Sequence, residues 1–245
     1  MRSAIVLLSL LVLFSCKQEL EQPIVNYAGA LRTMMSGDIS KKIELDSLSK
    51  LSNLYALGAF EGLSGEVQIS NGESFNSRVK DRTVAIENEI KGAASLLVYA
   101  QVKEWIDIPN VAFQSTTELE NLLSEQAKMN GLDIEKPFPF IMEGKVKALK
   151  WHVIKWDKND SIHTHKKHQE AGLNGVMKDA TVKIIGFYSN KHKAIFTHHS
   201  TNVHIHFIAK EENLAGHIDD IKINEPLMLK LPKKQGKRMN SIENQ

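Results

Sequence analysis

Apolar residues recur at helical spacing in a few short stretches of this chain and in strand-like runs over most of the rest. Between Tyr27 and Met35 the positions Leu31, Met34 and Met35 predict a short helix that Gly37-Asp38 ends, and a second helical stretch is expected over Lys42 to Leu51. Gly58, Gly62 and Gly65 then break up the apolar residues, and Glu66-Val67-Gln68-Ile69 before Asn71-Gly72 reads as a hairpin strand. Val84 to Ile90 and Ala94 to Val102 are further extended runs. Thr117 to Met129 carries Leu119, Leu122, Leu123 and Ala127 on one helical face, closed by Gly131. Pro137 and Pro139 mark a boundary, after which Phe140 to Met142, Glu143-Gly144 and Val146 to Trp156 suggest a hairpin. Short apolar runs follow at Thr181 to Tyr188, Ala194 to Thr197, Val203 to Ala209 and Gly216 to Ile223, separated by polar turns in the manner of an antiparallel sheet or small barrel. The fold class expected is α+β, with an α+β half over residues 26–136, a β-rich half over 137–232 and a polar tail over 233–245.

Composition adds a size and a partner class. At 245 residues and 42% hydrophobic content the chain can bury a sizeable core, and 31 Lys+Arg against 29 Asp+Glu gives no reason to expect nucleic acid or an anionic surface as partner. The N-terminus changes the picture more. Met1-Arg2 followed by the apolar run Ala4 to Phe14, too short to span a bilayer comfortably, reads as a secretion signal over residues 1–15. Leu13-Phe14-Ser15-Cys16 resembles a bacterial lipobox, and Cys16 is the single cysteine of the chain, which suits a lipid anchor better than a disulfide. The protein is therefore expected to be an exported, membrane-anchored lipoprotein, tethered through residues 16–25 and touching the membrane by that anchor alone. The alternative is an ordinary cleaved signal with an incidental cysteine.

The candidate chemistry lies late in the chain. In Val203-His204-Ile205-His206-Phe207 the strand period places both imidazoles on one face and the apolar residues on the other. His217 in Gly216-His217 returns on the next strand, and three histidines on a rigid surface suit zinc with an open position, although an H-x-H alone also occurs on strands that merely face water. His163, His165 and His168 sit among lysines and read as an exposed loop or helix start. His199 is a candidate to support the ligands, His198 a solvated residue, and Trp105, Trp151 and Trp156 are core or interface aromatics.

His204-Ile205-His206-Phe207 with Gly216-His217 resembles the metal-binding signature of the acetolactate decarboxylase family, an H-x-H-F strand followed by G-H. Leu57-Gly58-Ala59-Phe60 through Leu63-Ser64-Gly65-Glu66 is similar to that family's segment with L-G-T-F and L-D-G-E. Ala30-Leu31 to Leu48, Lys183 to Tyr188 and the stretch around Glu143-Gly144 fall in the family's order, so the resemblance spans most of the chain after the signal. It implies that His204, His206 and His217 are zinc ligands, that Glu66 stands at or beside the metal, and that Glu61 is the less suited carboxylate. It further implies zinc-dependent decarboxylation of 2-acetolactate to acetoin and carbon dioxide, a small hydroxy-keto acid as substrate, and a homodimer. The architecture implied is a two-part fold, an N-terminal mixed sheet with helices packed on a β-rich, barrel-like half.

Two positions depart from the family. Where it carries an arginine believed to steer or protonate the substrate, this chain has His152, which can donate a proton near neutral pH but cannot make the bidentate carboxylate contact of a guanidinium. The family's tail glutamate has only Glu243 as a counterpart. The roles implied are thus catalytic for Glu66 and His152. A different zinc enzyme on the same scaffold and a non-catalytic metal-binding lipoprotein remain as alternatives.

Overall fold

The computed structural model describes residues 20–236; the expected signal segment, Cys16 and Glu243 lie outside the described residues. Strands β1 (Leu20–Glu21) and β2 (Val25–Ala28) precede helix α1 (Leu31–Met35), and β3 (Ile43–Glu44), β4 (Leu54–Phe60), β5 (Glu66–Ser70), β6 (Glu73–Ser74), β7 (Asn76–Lys80), β8 (Thr83–Glu87) and β9 (Ala93–Gln101) follow. Then come β10 (Trp105–Val111), α2 (Thr116–Met129), β11 (Phe138–Ile154), α3 (His165–Glu170), β12 (Gly172–Tyr188), β13 (Val203–Ala209), β14 (Leu214–Lys222), β15 (Leu227–Pro232) and β16 (Gln235–Gly236). Strands dominate and helices are few, an α+β chain built on two large sheets. Among the described residues no helix is long and apolar enough to cross a membrane.

The first sheet has the order β2-β9-β4-β5-β7-β8 and the second β10-β15-β11-β12-β13-β14, with antiparallel pairings throughout. In the second sheet β14 also pairs with β11, which closes β11, β12, β13 and β14 into a ring. Strand alternation sorts the side chains accordingly. Val203, Ile205 and Phe207 join the cluster inside the ring, where Leu119, Leu123 and Ala127 of α2 also dock. Leu57 and Ala59 of β4 and Leu96 of β9 meet Ile185, Phe187 and Ile208 of the second sheet in a separate cluster between the sheets. The candidate site lies at that junction.

Several expectations change. Residues 42–51 form no α-helix: Lys42 N–H donates to Ala94 O and Leu45 N–H to Gly92 O, so the backbone is drawn toward β9 and only a short 3₁₀ helix over Leu45–Leu48 remains of the expected stretch. The expected hairpin at Glu143-Gly144 is one continuous strand, paired with β12 on both sides of Gly144. Gly144 takes φ +149, and an added Cβ would lie 2.7 Å from Leu227 Cδ2, so the glycine serves close approach to β15 rather than a turn. Residues 194–197 form a loop with one isolated bridge instead of a strand. The strands β7 and β10 have no counterpart in the sequence reading.

Two elements that precede residue 136 pack with the second sheet: β10 pairs with β15, Trp105 opposite Pro232, and the apolar stripe of α2 finds its cover on the ring. The expected tether and tail meet as well, Leu20 pairing with Gly236.

Candidate metal centre and its cavity

Cross-strand register assembles the site. His206 on β13 stands opposite His217 on β14, and His217 opposite His152 on β11, which makes a row of imidazoles across adjoining strands. His204, two residues before His206, shares its face. Across the junction, β5 presents Glu66 and Gln68, also two residues apart, with Val67 and Ile69 turned into the far side of the first sheet. Gly216 permits the close approach of β14 to β11, because a Cβ there would lie 2.7 Å from the His152 carbonyl oxygen.

His204, His206 and His217 converge: one nitrogen from each lies within 4.8 Å of the others. His206 Nε2 is 3.1 Å from His204 Nε2 and 3.2 Å from His217 Nδ1. Gln68 explains the direction of His206. Its Nε2 donates to the Phe75 carbonyl and to Ser77 Oγ, which leaves Oε1 as acceptor for His206 Nδ1–H at 2.9 Å. His206 Nε2 is then a bare acceptor, and two further ring nitrogens are gathered around it. Burial disfavours charge on His204 and His206. It pulls His204 down to about 4, with the positive charge of His152 adding and the Phe196 carbonyl opposing, and it holds His206 well below its ordinary value.

The donor set fits a small tetrahedral divalent cation. Zinc–nitrogen bonds of ~2.0–2.1 Å place tetrahedral ligand atoms about 3.3 Å apart, close to the two spacings here, and require neutral imidazoles. Histidine paired through its other nitrogen to a fixed acceptor is the usual support for such a ligand.

Glu66 stands beside this group, Oε2 4.0 Å from His206 Nε2 and Oε1 accepting from Ile154 N–H at 3.1 Å. Burial pushes its carboxyl up to about 7, against the lowering effect of His152 and the Ile154 N–H. Its oxygen is also 3.7 Å from His152 Nε2. On its other side His152 Nδ1–H donates to Asp219, both oxygens at 3.0 Å. Burial alone would lower the His152 pKa, but the Asp219 hydrogen bond and the charges of Glu66 and Asp219 outweigh it and raise it. Gln169 of α3 donates to Asp219 Oδ1 at 2.7 Å and completes the chain of contacts.

The sequence pattern points to His152, Glu66 and the three clustered histidines, whereas Gln68, Asp219 and Gln169 emerge only in the structure. Gln68 was accessible as the residue two beyond Glu66 on one strand face. Asp219 was not: the β11–β14 register slips between Lys150 and Trp151, and the resulting bulge leaves Asp219 without a Cα partner and aimed at His152. Glu61, expected to be the less suited carboxylate, is exposed and accepts from Lys41 N–H. The reading of the adjacent pair is reversed: His198 lines the cavity while His199 is exposed. His168, expected to be exposed, is buried edge-on against Trp156 and lines the cavity too, because α3 folds back over the site. His163 stacks on the same indole, its Nδ1 2.9 Å from His168 Nε2.

Compared with known proteins, the family model described as alpha-acetolactate decarboxylase matches residues 26–240. An acetolactate decarboxylase from Bacillus subtilis subspecies spizizenii is similar at 15% identity and TM-score 0.68, with 86% of each chain covered. The alpha-acetolactate decarboxylase of Bacillus subtilis strain 168 is similar at 15% identity and TM-score 0.67, over 86% of this chain and 85% of that one. A Staphylococcus aureus protein described as of unknown function and similar to alpha-acetolactate decarboxylase shows 14% identity and TM-score 0.65, over 88% and 86%. These likenesses concern the fold. No curated protein matches the chain.

Proposed function

The chain belongs to the alpha-acetolactate decarboxylase family, a family of carboxy-lyases, and from that premise we propose that it is a zinc-dependent decarboxylase converting 2-acetolactate, or a close hydroxy-keto acid, to a hydroxy-ketone and carbon dioxide. The observation that carries the proposal is the gathering of His204 and His217 nitrogens within 3.1 and 3.2 Å of a His206 nitrogen that can only accept.

Loss of carbon dioxide from such an acid leaves an electron pair that the neighbouring ketone takes up as an enediolate, and a proton must then reach the carbon. His204, His206 and His217 would hold the zinc, which when bound would supply Lewis-acid polarisation of the ketone. The chain's own residues do the rest. His152 holds a proton on a ring that Asp219 orients, with Nε2 turned toward Glu66 at the cavity, a suitable donor near neutral pH. Glu66, with its pKa near 7, exchanges a proton in the same range and hydrogen-bonds a substrate hydroxyl when ionised. Met34, Leu63 and Phe196 line the same cavity and keep bulk water from the reacting carbon.

Purified full-length protein given 2-acetolactate is expected to form acetoin, to lose that activity to a chelator, and to recover it with zinc. Protein that holds zinc at these histidines yet forms no acetoin would sink the proposed reaction. One observation favours a second reading, a zinc enzyme for another hydroxy-keto acid: among the described residues no lysine or arginine lines the cavity, and His152 faces two carboxylates.

A further inference from the structure

The cavity has an apolar face that touches none of the groups undergoing bond changes in the proposed chemistry. Met34 of α1, Ala59 of β4, Leu63, Leu96 of β9 and Phe196 line it. All of them belong to one cluster of mutually packed residues, so they form a continuous wall rather than scattered contacts. Each is at most 7% exposed and is held by packing on its far side. The cavity measures about 310 Å³, at the lower end of small-molecule sites at ~300–1,000 Å³.

Methyl substituents alone, as acetolactate carries, would leave much of this wall against water. The acidic lining groups are Glu66 and Asp219; among the described residues no lysine or arginine accompanies them, and the one cationic ring, His152, is held between those two carboxylates, so an anionic arm laid on the apolar wall meets no counter-charge. Thr197, His198, Ser200 and Thr201 give another side of the cavity neutral hydrogen-bonding groups, but on this wall binding free energy comes from apolar burial. We infer that the site takes a hydroxy-keto compound whose oxygens meet the metal and which bears an alkyl or aryl substituent larger than methyl, seated on Met34, Leu63, Leu96 and Phe196. This rests on the metal-centre reading for the placement of the oxygens.

The test is calorimetric titration of zinc-loaded full-length protein with straight-chain hydroxamates, from acetohydroxamate through butano- and hexanohydroxamate, with benzohydroxamate as the aryl member. Each methylene that reaches the wall is expected to tighten binding about fourfold. The gradient should shorten in Ala59→Leu, which fills part of the wall, with the thermal midpoint confirming that this variant folds. Zinc-loaded protein that binds the series equally, or binds none of it, overturns the apolar seat. A protein that retains no zinc refutes the metal centre instead. Metal-free protein titrated with the matching primary alcohols then tests the wall alone, the same gradient supporting it and a flat series overturning it.

Discussion

At the scale of single residues, Gln68 decides more than its type suggests. It touches one imidazole, yet its amide is fixed by Phe75 and Ser77, so the tautomer of His206 is fixed with it. Gln68→Ala is expected to weaken zinc binding by roughly 10–100-fold, the usual loss when the partner of a metal-binding histidine is removed; a competing chelator titration measures it, and unchanged affinity would show that the tautomer is set elsewhere. Glu66 gives a second expectation, for metal-free protein. His204 and His206 stay neutral when folded but protonate near pH 6.5 when unfolded, so their contribution to stability is lost as pH falls from 6.5 toward 4. Glu66, raised to about 7, works in the opposite sense: the folded state keeps a proton that the unfolded state releases, so stability grows as pH falls from 7 toward 4.5. Glu66→Gln removes this compensation. Urea unfolding of the chelator-treated variant should then lose on the order of 2 kcal/mol more between pH 6.5 and 4.5 than the native sequence does. Parallel curves for the two would refute the balance.

At the scale of elements, β14 is the piece on which the site turns. It carries His217 and Asp219, pairs on one side with β13 and on the other with β11, and needs Gly216 to lie as close to β11 as it does. Gly216→Ala puts a Cβ 2.7 Å from a backbone oxygen that cannot swing away. The variant should lose about 1–3 kcal/mol of stability through overpacking and bind zinc more weakly, because His217 and the bulge at Asp219 shift together. A thermal melt with a zinc titration checks both, and a variant with native affinity would show that β14 tolerates the displacement. α2 behaves as its pattern says. Ser115 accepts from Glu118 N–H at the start, Leu119, Leu123 and Ala127 are buried, and Gly131 takes a positive φ just past the end. Its partner was not legible, since an apolar stripe says that a helix must be covered and not by what.

At the scale of the molecule, the site exists only because two sheets meet. The imidazole row comes from the ring of the second sheet, and the carboxylate and amide come from β5 of the first, 88 and 138 positions from Ile154 and His206, their bonding partners. This division also accounts for the cavity, which sits where the apolar faces of the sheets part around the polar groups. We propose in addition that the whole is carried outside the cytoplasm on a lipid attached to Cys16. A radiolabelled fatty acid fed to expressing bacteria should label the protein and fail to label Cys16→Ala; equal labelling of both would end that proposal.

The sequence alone determined what local rules govern: the strand alternation that sets His204 and His206 on one face, the glutamate-to-isoleucine strand before Asn71-Gly72, the capped amphipathic helix of α2, and the motif residues of the family. Each depends on neighbours within a few positions, where spacing and side-chain type suffice. Tertiary structure alone decided the rest. The residues at 42–51 keep only a 3₁₀ turn because β9 offers their backbone partners, β11 runs straight through an apparent turn because β12 matches it, and β10 pairs with β15, far along the chain. Asp219 met His152 through a slip in register that no periodicity records. Hydrogen-bond partners distant in sequence carry no local signature, and they settle which of several locally acceptable conformations the chain keeps.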